Sequence, residues 1–254
     1  MRKVRDEKYW DELERDERDD TEEAIALMLA ILTELEADVL DEVRLFYGRY
    51  GRDGIVTYTR ARQYVSAKDH RRKINLLLAA LDDALSDGVS QLELNLWYII
   101  DEILGREHQA WDAEYDSSQY YGVDWLDGRT WKDRLWDDKA LWLSTLMTDI
   151  KLAMVRGQHL DSLLQQLSKR FKQMGNAINT LVQGETVFLR THARIDLFKQ
   201  AGIKRYRYYT QEDERVCETC GPLNDRVFPV TQYEPGVTAP PIHGRCRCFV
   251  LPEP

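Results

Sequence analysis

Four cysteines and one histidine crowd the last 38 residues of a 254-residue chain that holds four cysteines in all. Cys217-Glu-Thr-Cys220 places two thiols two residues apart, so that a tight turn can aim both at one ion. His243-Gly-Arg-Cys246-Arg-Cys248 follows, and in extended backbone Cys246 and Cys248 project from one face. Thiolates with an imidazole at tetrahedral distances are the donor set of zinc in a reducing compartment. Five donors exceed four coordination positions. The spacing slightly favours Cys217, Cys220, Cys246 and Cys248 as ligands, with His243 supporting them or replacing one cysteine. Two disulfides, or buried free thiols, are the competing readings. A catalytic zinc would need an open position and a general base. Glu212, Asp213, Glu214 and Glu218 are close by, but acids in a polar turn read more simply as solvated groups, and a thiolate-rich ion reads as closed and structural. A zinc-dependent hydrolase or nuclease using His243 as base is the alternative.

The charge is unevenly divided. Residues 1–150 carry 20 Lys+Arg against 34 Asp+Glu, and residues 151–254 carry 15 against 10, beneath a net charge of −9. An acidic body does not lie along a nucleic-acid backbone, whereas a basic end can touch phosphates or an acidic protein surface. Lys204, Arg205, Arg207, Arg245 and Arg247 are the candidate DNA contacts, with Tyr206, Tyr208 and Tyr209 able to stack on bases; the simpler reading packs those rings inward. No apolar run approaches the roughly 20 residues of a bilayer span, and the N-terminus lacks the apolar stretch of a signal peptide, so no membrane is expected and folding in a reducing cytoplasm is.

The elements that must carry these residues read as mainly α: a bundle of long helices followed by a small α+β, Cys/His-clamped module. Residues 6–20 alternate charges so densely that they predict an exposed helix or arm anchored by Tyr9, Trp10 and Leu13. Asp20 and Glu23 form a capping-box pattern that predicts a helix start there, running to Gly48 or Gly51. Separate helices are predicted over 68–85, stopped at Asp87-Gly88, and over 90–111. Ile55–Tyr58 is β-prone, ahead of a helix start near Thr59. An irregular stretch spans 112–133, a helix runs from Trp131 to about Val155 with its tryptophans in the core, and two more helices precede and follow Gly175. Lys204–Thr210 alternates as a strand does. The division predicted is 1–174, a helical body with an N-terminal arm, and 175–254, the clamped module.

Asp213-Glu-Arg-Val-Cys-Glu-Thr-Cys220, Leu223-Asn-Asp-Arg-Val-Phe228 and Pro240-Pro-Ile-His-Gly-Arg-Cys-Arg-Cys248 occur in the order that characterises one family. Over about 175–250 the chain resembles the C-terminal domain of phage minor head proteins like Mu protein F, the head-morphogenesis family. Gln183-Gly-Glu185-Thr-Val keeps only part of the helical motif that such proteins have there. The resemblance implies a low-copy virion component, inside the capsid or at the portal vertex, assembled in the host cytoplasm. It also implies a portal, major capsid or scaffold partner, with phage DNA contacted during packaging or ejection.

Overall fold

The computed structural model describes residues 7–56, 67–125, 127–211 and 216–253. The expected β-prone turn and helix start near 58–65 lie outside these, apart from Ile55 and Val56. Four long helices dominate: α1 (Glu7–Tyr50), α2 (Ala67–Ala110), α4 (Trp131–Arg156) and α5 (Leu160–Ala201), with a single turn, α3 (Ser118–Tyr121), between α2 and α4. The strands β1 (Arg205–Tyr209), β2 (Val227–Pro229) and β3 (Phe249–Glu253) form one antiparallel sheet in the order β2-β1-β3.

Several predicted helix ends are absent. Asp20 and Glu23 lie well inside α1, because Trp10 and Leu13 bury the preceding turns and continue the apolar stripe through Ala24, Met28, Leu32 and Leu35. Gly88 lies inside α2 and Gly175 inside α5. A Cβ on Gly88 would stand 2.8 Å from Leu35 Cδ2, and one on Gly175 would stand 3.1 Å from Leu29 Cδ2. These glycines admit close helix approach and end nothing. The true stops are Gly157 (φ +64) and Gly202 (φ +76), whose left-handed backbone glycine takes without strain.

Position 174/175 falls within α5. The chain gathers into two compact units, each assembled from separated pieces: residues 1–27, 94–134 and 179–254 in one, and residues 28–93 and 135–178 in the other. In the second unit every long helix presents a buried stripe, such as Leu77, Leu81, Leu85 and Val89 on α2 and Leu163, Leu167 and Phe171 on α5. Polar ties there include Trp136 Nε1 donating to Glu93 at 2.7 Å and Arg170 to Asp149 at 2.7 Å. Trp131 and Trp142 are buried, as expected of core tryptophans.

The other unit holds the C-terminal module. Its core joins Trp10 and Leu13 of α1, Trp111, and Ile195, Leu197 and Phe198 of α5 to Tyr206, Tyr208, Val250 and Leu251 of the sheet, together with Cys220, Cys246 and Cys248. Residues 7–20 are therefore no free arm. They are part of the wall of the module.

Candidate functional site

Strand β1 alternates as its sequence predicts: Tyr206 and Tyr208 are fully buried, while Arg205 and Arg207 face outward. Stacking of Tyr206 or Tyr208 on bases is thereby ruled out. Both rings are core, and Tyr209 is stacked on Phe249 with centroids 5.4 Å apart. The fork of Arg207 is taken up by Glu253, with Nε and Nη2 each donating at 2.9 Å. Arg245 Nε donates to Thr180 on α5 at 3.0 Å, Lys204 and Arg205 are exposed, and Arg247 is half-buried.

The cysteines do converge. After β1 the chain crosses to a turn in which Gly221 N–H donates to Cys217 O (2.9 Å) and Cys220 N–H donates to Cys217 Sγ (3.3 Å). That geometry folds both thiols of the C-x₂-C pair toward one side. Opposite them, Cys246 N–H donates to His243 O (3.2 Å), closing a second turn. Gly244 at its tip lies so close to α5 that a Cβ there would come within 2.5 Å of Thr180 Cγ2. His243 Nε2 stands 3.1 Å from Cys217 Sγ and 3.3 Å from Cys220 Sγ, and Cys220 Sγ stands 3.9 Å from Cys246 Sγ. Two overlapping donor groups result, Cys217–Cys220–His243 and Cys220–Cys246–Cys248, with Cys220 common to both. All four cysteines are free thiols.

This donor set fits a thiophilic metal ion. Hydrogen bonds from the backbone of Cys220 bring the Cys217 thiol down to about 7, and the Cys248 thiol and backbone donors bring Cys246 down to about 5. Burial raises Cys220 to about 12, an effect that a bound cation reverses. The space beside the cluster, lined by Thr210, Val216, Cys217, Cys220, His243 and Cys248 among others, measures about 30 Å³. That admits an ion or a water, whereas small-molecule sites run to about 300–1,000 Å³. Nothing in this geometry favours a hydrolase. Of the acids near the cluster, Glu212, Asp213 and Glu214 lie outside the described residues, and Glu218 is exposed.

Behind the module lies a feature that the sequence reading missed. Arg194 is 1% exposed and is paired with Glu14, Glu17 and Glu107, while its Nη1 also donates to Val250 O at 3.0 Å. Arg190 joins Glu14 (3.3 Å) and Glu17 (3.1 Å). Burial opposes the charge of Arg194, but Glu107, Glu14 and Glu17 outweigh it and hold the guanidinium ionised. Burial and then Glu107 push the Glu17 carboxyl well above its ordinary range, against the pull of both arginines. The three glutamates could in principle ligate a cation. Here two guanidinium groups already occupy that role. Arg190 and Arg194 at i and i+4, facing Glu14 and Glu17 at i and i+3, were the available signal.

Another buried acid lies on α5 itself, before Arg190. Glu185 is 2% exposed, accepts from Trp125 Nε1 at 2.9 Å and lies 3.5 Å from Arg134. Burial raises it to about 7, with Trp125 and Arg134 opposing. An acid whose folded pKa is raised stabilises the fold fully below its unfolded value, about 4.5, and that contribution is lost as pH climbs through about 7. Urea midpoints are expected to fall between pH 5 and 8, with up to about 3 kcal/mol from Glu185. Glu185→Gln should flatten that part of the slope; an unchanged slope would show that Glu185 is ionised throughout.

Long helices whose last member carries a small three-stranded, thiol-rich module define the class: a helical protein with a Cys/His-clamped C-terminal module. Residues 144–251 match the family described as Phage Mu protein F like protein. The match starts within α4, takes in all of α5 and ends in β3, reaching further toward the N-terminus than the resemblance over 175–250. No curated protein and no solved structure matches the chain. Among the described residues, no helix is long and apolar enough to cross a membrane.

Proposed function

We propose that the chain is a phage minor head protein, a structural component of the virion that joins the procapsid near the portal. The observation that carries this reading is the Mu F-like segment, which includes both the thiol cluster and the helix on which the module is built. In this reading zinc closes the cluster and fixes the turns at 217–220 and 243–246. The acidic face of α1, with Asp11, Glu12, Asp16 and Asp19 exposed, meets a portal, capsid or scaffold partner. The opposite polarity of Lys204, Arg205, Arg245 and Arg247 suits phosphates of packaged DNA, through contacts that position without reading sequence. Arg207, held by Glu253, contributes less there.

Co-purification with a portal oligomer tests the first part. Truncating residues 1–50 would be the obvious variant, but it removes Trp10 and Leu13 from the module's core, so charge reversal of Asp11, Glu12, Asp16 and Asp19 is the informative change. Those reversals should abolish capture while leaving the fold intact. Capture that survives them and is lost on substituting Lys204 and Arg205 would reverse the assignment of the two surfaces. DNA binding should weaken steeply with salt and weaken further in the Lys204/Arg205 variant; binding indifferent to both sinks the DNA part.

A further inference from the structure

Five donors cannot all hold a four-coordinate ion, and the geometry points to one set. Resting on the metal reading above, we infer that Cys217, Cys220, His243 and Cys246 ligate the ion, and that Cys248 lies outside the ligand set. The two halves then share one design, because His243-x₂-Cys246 repeats the spacing of Cys217-x₂-Cys220. A tetrahedral ion with Zn–S of about 2.3 Å and Zn–N of about 2.0 Å places neighbouring ligand atoms about 3.5–3.8 Å apart. Cys217, Cys220 and His243 lie within 4.8 Å of one another, with His243 Nε2 3.1 and 3.3 Å from the two sulfurs, and Cys246 reaches this group through Cys220 at 3.9 Å.

His243 is oriented as a ligand would be. Its Nδ1 lies 2.6 Å from Gly244 O, an atom that can only accept, so Nδ1 carries the proton and the Nε2 lone pair is aimed at the two thiols of the first turn. The Tyr208 hydroxyl supplies an independent sign. It is buried beside Cys220 and Cys248 and meets no group among the described residues at full hydrogen-bond geometry. A phenol held there gains a strong acceptor once Cys220 becomes a thiolate on the ion.

The test uses the full-length chain, purified reduced and loaded with zinc or cobalt(II). Wild type should hold one equivalent of zinc, and its cobalt form should show tetrahedral d–d bands with the charge-transfer intensity of three thiolates. Cys248→Ser should keep the metal and the spectrum, whereas His243→Ala and Cys246→Ser should each weaken binding at least 100-fold. Loss in Cys248→Ser with retention in His243→Ala would establish a four-cysteine site and overturn the assignment. Retention in Cys246→Ser with loss in Cys248→Ser would overturn it too, making Cys248 the fourth ligand. A wild-type chain that binds neither metal overturns the zinc clamp itself, a failure distinct from the other two. Where a variant does not fold by circular dichroism, the wild-type cobalt intensity decides between three thiolates and four.

Discussion

Arg194→Ala is expected to cost about 3–5 kcal/mol, enough to leave a domain of ordinary stability largely unfolded at 37 °C. The guanidinium is enclosed by Glu14, Glu17 and Glu107 and also caps Val250 O, so truncation strands up to three carboxylates and a carbonyl in a dry interior. The penalty comes from those orphaned groups more than from the attraction lost. Two related variants separate the contributions. Arg194→Lys should rescue little, because a single ammonium cannot serve acceptors on α1, α2 and β3 together. Arg194→Met combined with Glu107→Gln should recover part of the loss by removing charge on both sides. Denaturant midpoints check all three, and an Arg194→Ala chain within 1 kcal/mol of wild type would mean that water reaches these acids freely.

Trp10→Ala should be nearly as damaging, at about 3–5 kcal/mol. Trp10 is 3% exposed, lies 5.5 Å from the Trp111 ring and has the Arg194 guanidinium 5.6 Å from its centroid. Removing the indole opens a cavity between α1, α2 and the sheet and strips the face on which Arg194 rests. The indole nitrogen has no hydrogen-bond partner among the described residues, so Trp10→Phe sacrifices volume alone and should cost much less. The same denaturant series reads both. Equal losses for Phe and Ala would indicate that the indole nitrogen is tied to something outside the described residues.

The helical character, the strand over β1 and the convergence of the cysteines were all legible in the sequence, because each leaves a local pattern: apolar positions at helical spacing, alternation at Tyr206 and Tyr208, and two-residue thiol spacings. Helix ends were legible at Gly157 and Gly202, where glycine supplies left-handed backbone, and at Gly51, just past the end of α1 at Tyr50. Gly88 and Gly175 look the same in sequence but serve leucines on another helix, a tertiary reason that no window of local sequence contains. The charged start of α1 misled for a related cause. Glu14 and Glu17 are spaced like solvated residues, and only the arginine pair more than 170 positions later explains their burial. Likewise Arg207 reads as a phosphate contact until its partner Glu253 is found across the sheet.

The route by which the clamped module closes has a consequence for biosynthesis. Trp10 and Glu14 leave the ribosome long before their partners Arg194 and Val250, with Glu14 and Arg194 separated by 180 positions. The unit built from residues 28–93 and 135–178 has all of its pieces once residue 178 is made. The unit carrying the thiol cluster does not. Its first helix must wait, indole and leucine uncovered, until residues 195–251 have been made, and such long-range closure is slow and exposed to aggregation. A nascent chain arrested before residue 250 therefore presents the Trp10 face to chaperones, while one that extends past residue 251 hides it.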